Sequence, residues 1–439
     1  MKNRKKKKSK ILLSIGIILL IYCIFNVPYV QRQIERIKMG YEEPINLETG
    51  LINNKYFGIY SNGKNPKQTT DGINEAIKYA QKNNIKDIKL ELGEYQVIGD
   101  NNSHYRGITL QSNINLDLNG SKIIQRPNDY NTYANITMYE IENASISNGI
   151  IIGDTEKHIY NPKNGKTHED GYGISIIACK NVKVKNLEIY NMTGDGINLY
   201  GINKGEKIDD NVTIENCNIY NCRRQGITVG CGKNILIQNN EIHDIKGTAP
   251  QTAIDIEGNF ETEITDNVVI KNNKMYNLEN VNALLLVGFI ENAEISSNEI
   301  EQNVLVYDAK EKIIFKNNVL KNSLIKFSND YTNMRAGHNI KNLEFVENYL
   351  EDSSLELSKV ENANIQNNEI INGNLRNISS NCIITNNRLK NMKNSIDVAI
   401  ELSNISGHTE KYTAKVNENV IEGEYVQKIQ IDTEFYTIK

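Results

Sequence analysis

The sequence predicts an all-β solenoid, a parallel β-helix, and three observations carry the prediction. From residue 143 onward one phrase recurs, roughly Asn-x-x-Ile-x-Asn-Asn-x-Ile: "NASISNGII" at Asn143, "NVKVKNLEI" at Asn181, "NILIQNNEI" at Asn234, "NANIQNNEI" at Asn362. Its intervals run from 19 to 38 residues, so strands repeat while the loops between them vary. Each phrase is a short alternating strand followed by an Asn-rich corner, a unit that buries its apolar face only by stacking on another. A leucine-rich horseshoe needs Leu at fixed places in a constant period, which this chain lacks.

The elements follow in order. Residues 1–10, "MKNRKKKKSK", form a basic tail with seven positive charges. Ile11–Val27, "ILLSIGIILLIYCIFNV", is seventeen uncharged residues, near the short end of what spans a bilayer. The basic flank places the tail in the cytoplasm and the rest outside. No small-x-small cleavage site follows, so the segment reads as a retained transmembrane signal anchor in contact with the lipid bilayer. Residues 28–52 read as a stalk. Residues 53–142 hold a capping helix and the first rungs. "TTDGINEAIKYAQKN" predicts a helix starting near Thr70 or Asp71 with the apolar stripe Ile73, Ala76, Ile77 and Ala80. Such a helix covers an open sheet edge. Residues 143–425 are the repeats, and 426–439 close the chain. Asn suits the corners because it tolerates left-handed backbone angles. Stacked in register, Asn239, Asn272, Asn317, Asn367 and Asn386 are expected to hydrogen-bond along the axis as a ladder.

Net charge is −4, and removing the tail's seven positive charges leaves −11 on the remainder. That balance argues against nucleic acid as a partner. Six cysteines show no metal-binding spacing; Cys217, Cys222 and Cys231 read as buried small side chains, with a disulfide among them left open.

The segments "FGIYSNGKNPKQTTDGINEAIKYA", "GYGISI", "GDGINL", "RRQGITV" and "AIDIEGN" resemble the pectate-lyase-like superfamily over roughly residues 55–425. The resemblance implies a single-stranded right-handed parallel β-helix of three sheets, usually acting on polysaccharide. It does not choose among reactions, because one scaffold hosts many. The polygalacturonase-type hydrolases carry Asn-Thr-Asp, Asp-Asp, Gly-His-Gly and Arg-Ile-Lys segments. Here "TGDGI" matches the first in part, Gln225 stands where the His before Gly226 is expected, and the Asp-Asp and Arg-Ile-Lys segments are missing from their places.

Aligning buried aliphatics Ile174/Ile176, Ile197/Leu199, Ile227/Val229 and Ile254/Ile256 places Ser175, Asn198, Thr228 and Asp255 in one outward column. Ile177, Tyr200, Gly230 and Glu257 form the next. At the strand mouths stand His168-Glu169-Asp170, Asp195, Arg223-Arg224-Gln225 and Gln251. With rungs about 4.8 Å apart this is one compact polar face. Asp195 and Asp255, two rungs apart, suit inverting glycoside hydrolysis; Asp170 and Asp195, one rung apart, suit retention. These three are the candidate catalytic carboxylates. Arg223 or Arg224 is placed to hold a substrate carboxylate or sulfate in a fork, or else to neutralise Asp195 and Asp255. Gln225, Asn198, Tyr200, Glu257 and His168 complete the candidate substrate-binding set. Lyase or epimerase chemistry would take a cation from the arginines and a proton carrier from Tyr172, Tyr200, His168 or His243. No cofactor is required; calcium on Asp195, Asp255 and Glu257 is conceivable, though no loop motif calls for it. Hydrolysis of an envelope or capsular glycan is the first reading, elimination or C5-epimerisation the second, and non-catalytic glycan binding the third.

Overall fold

The computed structural model describes residues 43–99, 107–161, 166–278, 282–328, 340–393, 396–404 and 411–439. Each turn of the chain adds one strand to each of three stacks. One turn is Ile197–Tyr200, Asp209–Glu215 and Asn218–Tyr220; the next is Gln225–Val229, Gly232–Gln238 and Glu241–His243. The ladders between successive turns are parallel, with Ile197 opposite Ile227, Val212 opposite Ile235 and Ile219 opposite Ile242. The interior is a set of aliphatic columns. Ile174, Ile197, Ile227, Ile254 and Leu284 stack in register, as do Ile176, Leu199, Val229, Ile256 and Leu286, all fully buried. Burying a Leu or Ile contributes roughly 1.5–3 kcal/mol, so the repeating columns carry the fold.

The corners use Asn in two ways. Asn239, Asn272, Asn317, Asn367 and Asn386 all adopt φ between 54° and 56°, a region unfavourable for most residues with a Cβ. The axial ladder, however, is made by the next residue. Asn240, Asn273, Asn298, Asn318, Asn348, Asn368, Asn387 and Asn419 pass an amide hydrogen bond down the axis, Nδ2 to Oδ1, at 2.9–3.1 Å. The expected ladder was therefore one residue out. The residue in the left-handed bend turns its side chain outward, and its neighbour's points in.

A short helix α1 (Asn54–Phe57) and a long one α2 (Pro66–Lys82) close the first turn. Helix α2 starts several residues before Thr70 because Pro66 sits at its first turn. Its stripe Ile73, Ala76, Ile77 and Ala80 is fully buried. Its polar side chains replace a missing rung: Asn74 Oδ1 accepts from the Thr109 N–H (2.7 Å), Asn74 Nδ2 donates to the Gly107 carbonyl (3.0 Å), and Thr70 Oγ1 accepts from the Ile98 N–H (3.0 Å). The folded body begins before residue 53, since Ile45 and Ile52 form an antiparallel bridge and both are buried. Five of the cysteines, Cys179, Cys217, Cys222, Cys231 and Cys382, are free and buried, and burial pushes each thiol up to about 12. The predicted anchor at 11–27 lies outside the described residues. Among the described residues no helix is long and apolar enough to cross a membrane.

Candidate functional site

The outward columns form as the alternation dictates. Thr137, Ser175, Asn198, Thr228 and Asp255 are in register across five strands, and Ile177 pairs with Tyr200. The residues just before these columns reach the same face because the chain bends at a stack of small residues. Gly173, Gly196 and Gly226 turn inward: a Cβ on Gly196 would meet the Ile219 side chain and the Gly226 carbonyl, and one on Gly226 would meet Ile242 and the Ala253 carbonyl. Gly226 therefore does not share the face of Thr228. The bend throws the preceding Asp195 and Gln225 outward.

Over this face lies a groove of about 520 Å³ lined by Tyr139, Glu169, Asp170, Tyr172, Asn198 and Tyr200, with Arg224, Thr228, Glu257 and Asn259 along its other side. Tyr139 also lines a second, larger cavity of about 1070 Å³ beside helix α2.

Arg224 is the hub. Its Nη1 lies 3.3 and 3.2 Å from the two Asp195 oxygens and 2.5 Å from Gln225 Oε1. Its Nε lies 3.8 Å from Glu169 and its Nη2 3.6 Å from Glu257. Gln225 Nε2 donates in turn to Asp255 Oδ2. The Thr228 hydroxyl sits within reach of Asp195 Oδ2 (2.8 Å) and of Gln225 Oε1, and its single proton serves one at a time. Burial pushes the Asp195 carboxyl up to about 6, against the opposing pull of Arg224 and Thr228; nearby Asp170 adds to the rise.

Two sets of candidates therefore separate. Asp195 and Asp255 are fully buried and form a layer beneath the groove, covered by Arg224 and Gln225. Neither is among the residues that line it, unlike the exposed pair that their spacing in sequence suggests. Asp170 does line the groove, and accepts from the Tyr172 hydroxyl (3.0 Å). The arginines both have internal partners. Arg223 Nη1 donates to the carbonyls of Thr167 (3.1 Å), His168 (3.1 Å) and Thr193 (3.4 Å), and its guanidinium lies 4.8 Å from the Tyr160 ring centroid. It clips loops together and takes no part in the groove lining. His168, placed with the substrate-binding residues by its position in the chain, is 2% exposed and faces His158. Tyr200 lines the groove and accepts from Asn259 Nδ2 (2.7 Å). His243 lies on another sheet, stacked between Tyr220 and Tyr276. Glu169, named at the strand mouth but given no role there, pairs with Arg224 beside Glu257. Its signal was an acid beside Asp170 at the strand mouth. Arg224 occupies the space between Asp195 and Glu257 that calcium would need, and among the described residues no cluster of three or more His, Cys, Asp or Glu is arranged to hold a metal.

A family model described as the right handed beta helix region matches residues 123–288 and 172–323. This match and the fold support the expected resemblance to the pectate-lyase-like right-handed parallel β-helix proteins. Among curated sequences it is 31% identical over 219 residues to the SPbeta prophage-derived uncharacterized protein YorA of Bacillus subtilis, covering 46% of this chain and 37% of that one. It is 28% identical over 291 residues to the uncharacterized protein YclG of the same organism, covering 62% and 49%. The chain thus spans less than half the length of either relative. Among solved structures it is similar to the pneumococcal surface adhesin PfbA of Streptococcus pneumoniae (TM-score 0.60, 16% identity, 77% of this chain and 89% of that one). It also resembles the A-module of the mannuronan C-5 epimerase AlgE4 of Azotobacter vinelandii (0.51, 15%, 88% and 99%). A third is the tailspike of E. coli bacteriophage HK620 bound to a pentasaccharide (0.54, 11%, 81% and 74%). At these identities the likeness is one of fold.

Proposed function

We propose that the groove binds a polysaccharide and hydrolyses it, with Glu169 and Glu257 as the carboxylates that meet the sugar. The observation that carries this reading is that both carboxylates line the groove and pair with one guanidinium, Glu169 at Nε and Glu257 at Nη2. Ion-pair distances of 3.8 and 3.6 Å plus the width of that group keep the two carboxylates within about 10 Å of each other. Inverting hydrolysis uses a separation of about 6.5–9.5 Å, with one carboxylate taking the proton of the attacking water and the other protonating the departing glycosidic oxygen. Tyr139, Tyr172 and Tyr200 offer aromatic surface to sugar faces.

The charge census sets the class of glycan. Glu169, Asp170, Asp195, Asp255 and Glu257 surround Arg224, the single cation among the described residues that line the groove. An anionic uronate meets no other cation among the described lining residues, so a neutral glycan fits this groove, and hydrolysis ranks ahead of elimination or epimerisation. The uncharged stretch 11–27 supports anchorage in a membrane with the folded body outside. The names of two structural neighbours, an epimerase of mannuronan and a tailspike holding a pentasaccharide, support a saccharide as ligand.

The test is incubation of the purified protein with neutral and uronate-containing polysaccharides, following reducing ends and ultraviolet absorbance of unsaturated uronates. New ends without absorbance on a neutral glycan support the reading. Absorbance with new ends overturns it in favour of elimination. A second reading, binding without turnover, is favoured by the complete hydrogen bonding of Asp195 inside the protein; retention on a glycan matrix with neither signal would establish it.

A further inference from the structure

Behind the acidic wall of the groove lies a polar cluster that the proposed chemistry does not use. Asp154, His158 and His168 are 4%, 7% and 2% exposed. They are hydrogen-bonded in a line, Asp154 Oδ2 to His158 Nδ1 at 3.0 Å and His158 Nε2 to His168 Nδ1 at 3.0 Å. Asp154 also accepts from the Tyr133 hydroxyl, the Asn128 N–H (3.0 Å) and Asn128 Nδ2 (3.1 Å). A neutral His158 that donates from Nδ1 to this carboxylate keeps Nε2 as an acceptor for the His168 Nδ1–H.

Two links carry the line to the groove. The His168 backbone N–H donates to Asn131 Oδ1 (3.0 Å), and Asn131 Nδ2 donates to Asp170 Oδ2 (3.3 Å). The Tyr133 hydroxyl lies 2.6 Å from Thr193 Oγ1, two residues before Asp195. Arg223 grips the carbonyls of Thr167, His168 and Thr193 from outside. Glu169 and Asp170 follow His168 directly in the chain, so whatever moves His168 moves them.

We propose that Asp154, His158, His168 and Asn131 are positioning residues that set the Glu169–Asp170 wall, and that acid undoes the setting. The His158–His168 contact has room for one proton between its two nitrogens. A second proton in that 3.0 Å contact would set two N–H groups head to head. The surroundings are divided. The Tyr130 carbonyl favours a proton on His168; His158, Arg223 and Lys166 oppose it; Asp154 faces His158, and the Tyr133 and Tyr160 rings and the Asn161 N–H complete the shell. His168 also holds φ at 54°, strained for a residue with a Cβ, and depends on its partners to stay there. Burial first, and then His158, hold His168 below its ordinary value. A histidine lowered in the folded state contributes stability that is present above about pH 6.5 and is lost as pH falls through the lowered value.

The inference uses the groove only for its location, and its test needs no substrate. Hydrogen–deuterium exchange over 154–172 is measured on the full chain at about pH 7.5 and about pH 5, corrected for intrinsic exchange. Exchange of the wild type should rise at the lower pH by about tenfold for each unit by which the histidine is lowered. His168→Asn tolerates the left-handed bend, keeps a polar atom near Nδ1 and does not titrate, so the rise in exchange on acidification should be lost in it. His168→Ala at the higher pH should match the wild type at the lower one. Equal wild-type protection at both pH values, or the same acid loss in His168→Asn, overturns the proposal. If a glycan substrate is found, KM should rise on acidification in the wild type and stay flat in His168→Asn. If none is found, the exchange result stands alone.

Discussion

Residues 170–257 and 282–402 are stretches of one solenoid with the same inward columns, and they place their polar groups on opposite sides of the wall. In the first stretch the outward face carries Asn198, Thr228 and Asp255, joined through Arg224 and Gln225 into a network with no internal repeat. In the second the same outward column continues as Leu285, Leu305, Lys326, Glu356 and Arg376, and the repeated polar element is the inner Asn ladder, which starts at Asn240 in the first stretch and runs on through every turn of the second. The connections differ to match. Residues 201–208 and 258–264 form loops beside the groove, whereas Asn282–Ser296, Asn303–Lys316 and Ser354–Gln366 run through two sheets without one. Stability that repeats is built inward, and chemistry that occurs once is built outward on the stretch whose loops have room to differ.

The sharpest way to break this comparison is at the groove. Glu169→Gln and Glu257→Gln should each lower hydrolysis by about 10²–10⁴-fold, the range of a positioned acid or base. Melting should barely move, because both carboxylates are partly exposed and their ion pairs are long. Next comes the inner ladder. Asn318→Ala removes bonds to the Ile295 carbonyl (2.9 Å) and Asn348 Oδ1 (3.0 Å) and the acceptor for the Asn298 N–H and Nδ2 (both 3.0 Å). At about 1 kcal/mol for each, the loss is about 4 kcal/mol in denaturant titration, with turnover per folded molecule unchanged.

A third test uses pH. Asp195 raised to about 6 means that the folded protein binds more protons than the unfolded chain between about pH 4 and 6. Ionising it there opposes folding, by about 3 kcal/mol over the window. Asp195→Asn should therefore gain in melting temperature relative to the wild type as pH rises from 4 to 6, and the difference should level off above that. The smallest effect separates two adjacent corner residues. Asn317→Ala should cost about 1 kcal/mol for its left-handed backbone, and Asn317→Gly less, beside the larger loss at Asn318.

What was legible in the sequence was whatever repeats. Ile174, Ile197, Ile227 and Ile254 fell into register because alternation and stacking impose one solution, and the outward columns followed. The corner was read to within one residue: Asn317 and Asn318 look alike in a string, and only the bend decides which side chain turns inward. The site was legible as a location and much less as a mechanism. Arg224 reaches Glu169 and Glu257 across several turns of chain, and no local pattern records those partners. Burial of Asp195, Asp255 and His168 depends on loops folding back over the strands, which sequence spacing does not measure.

The inner ladder makes the second stretch indifferent to its own length. Asn348 and Asn368 make the same bonds to their neighbours before and after, twenty positions apart. A chain lacking residues 349–368 would present Asn387 to Asn348 as it now presents Asn368. Turns there are interchangeable links as far as the ladder is concerned, while the groove stretch has no such freedom because each of its turns supplies a different group.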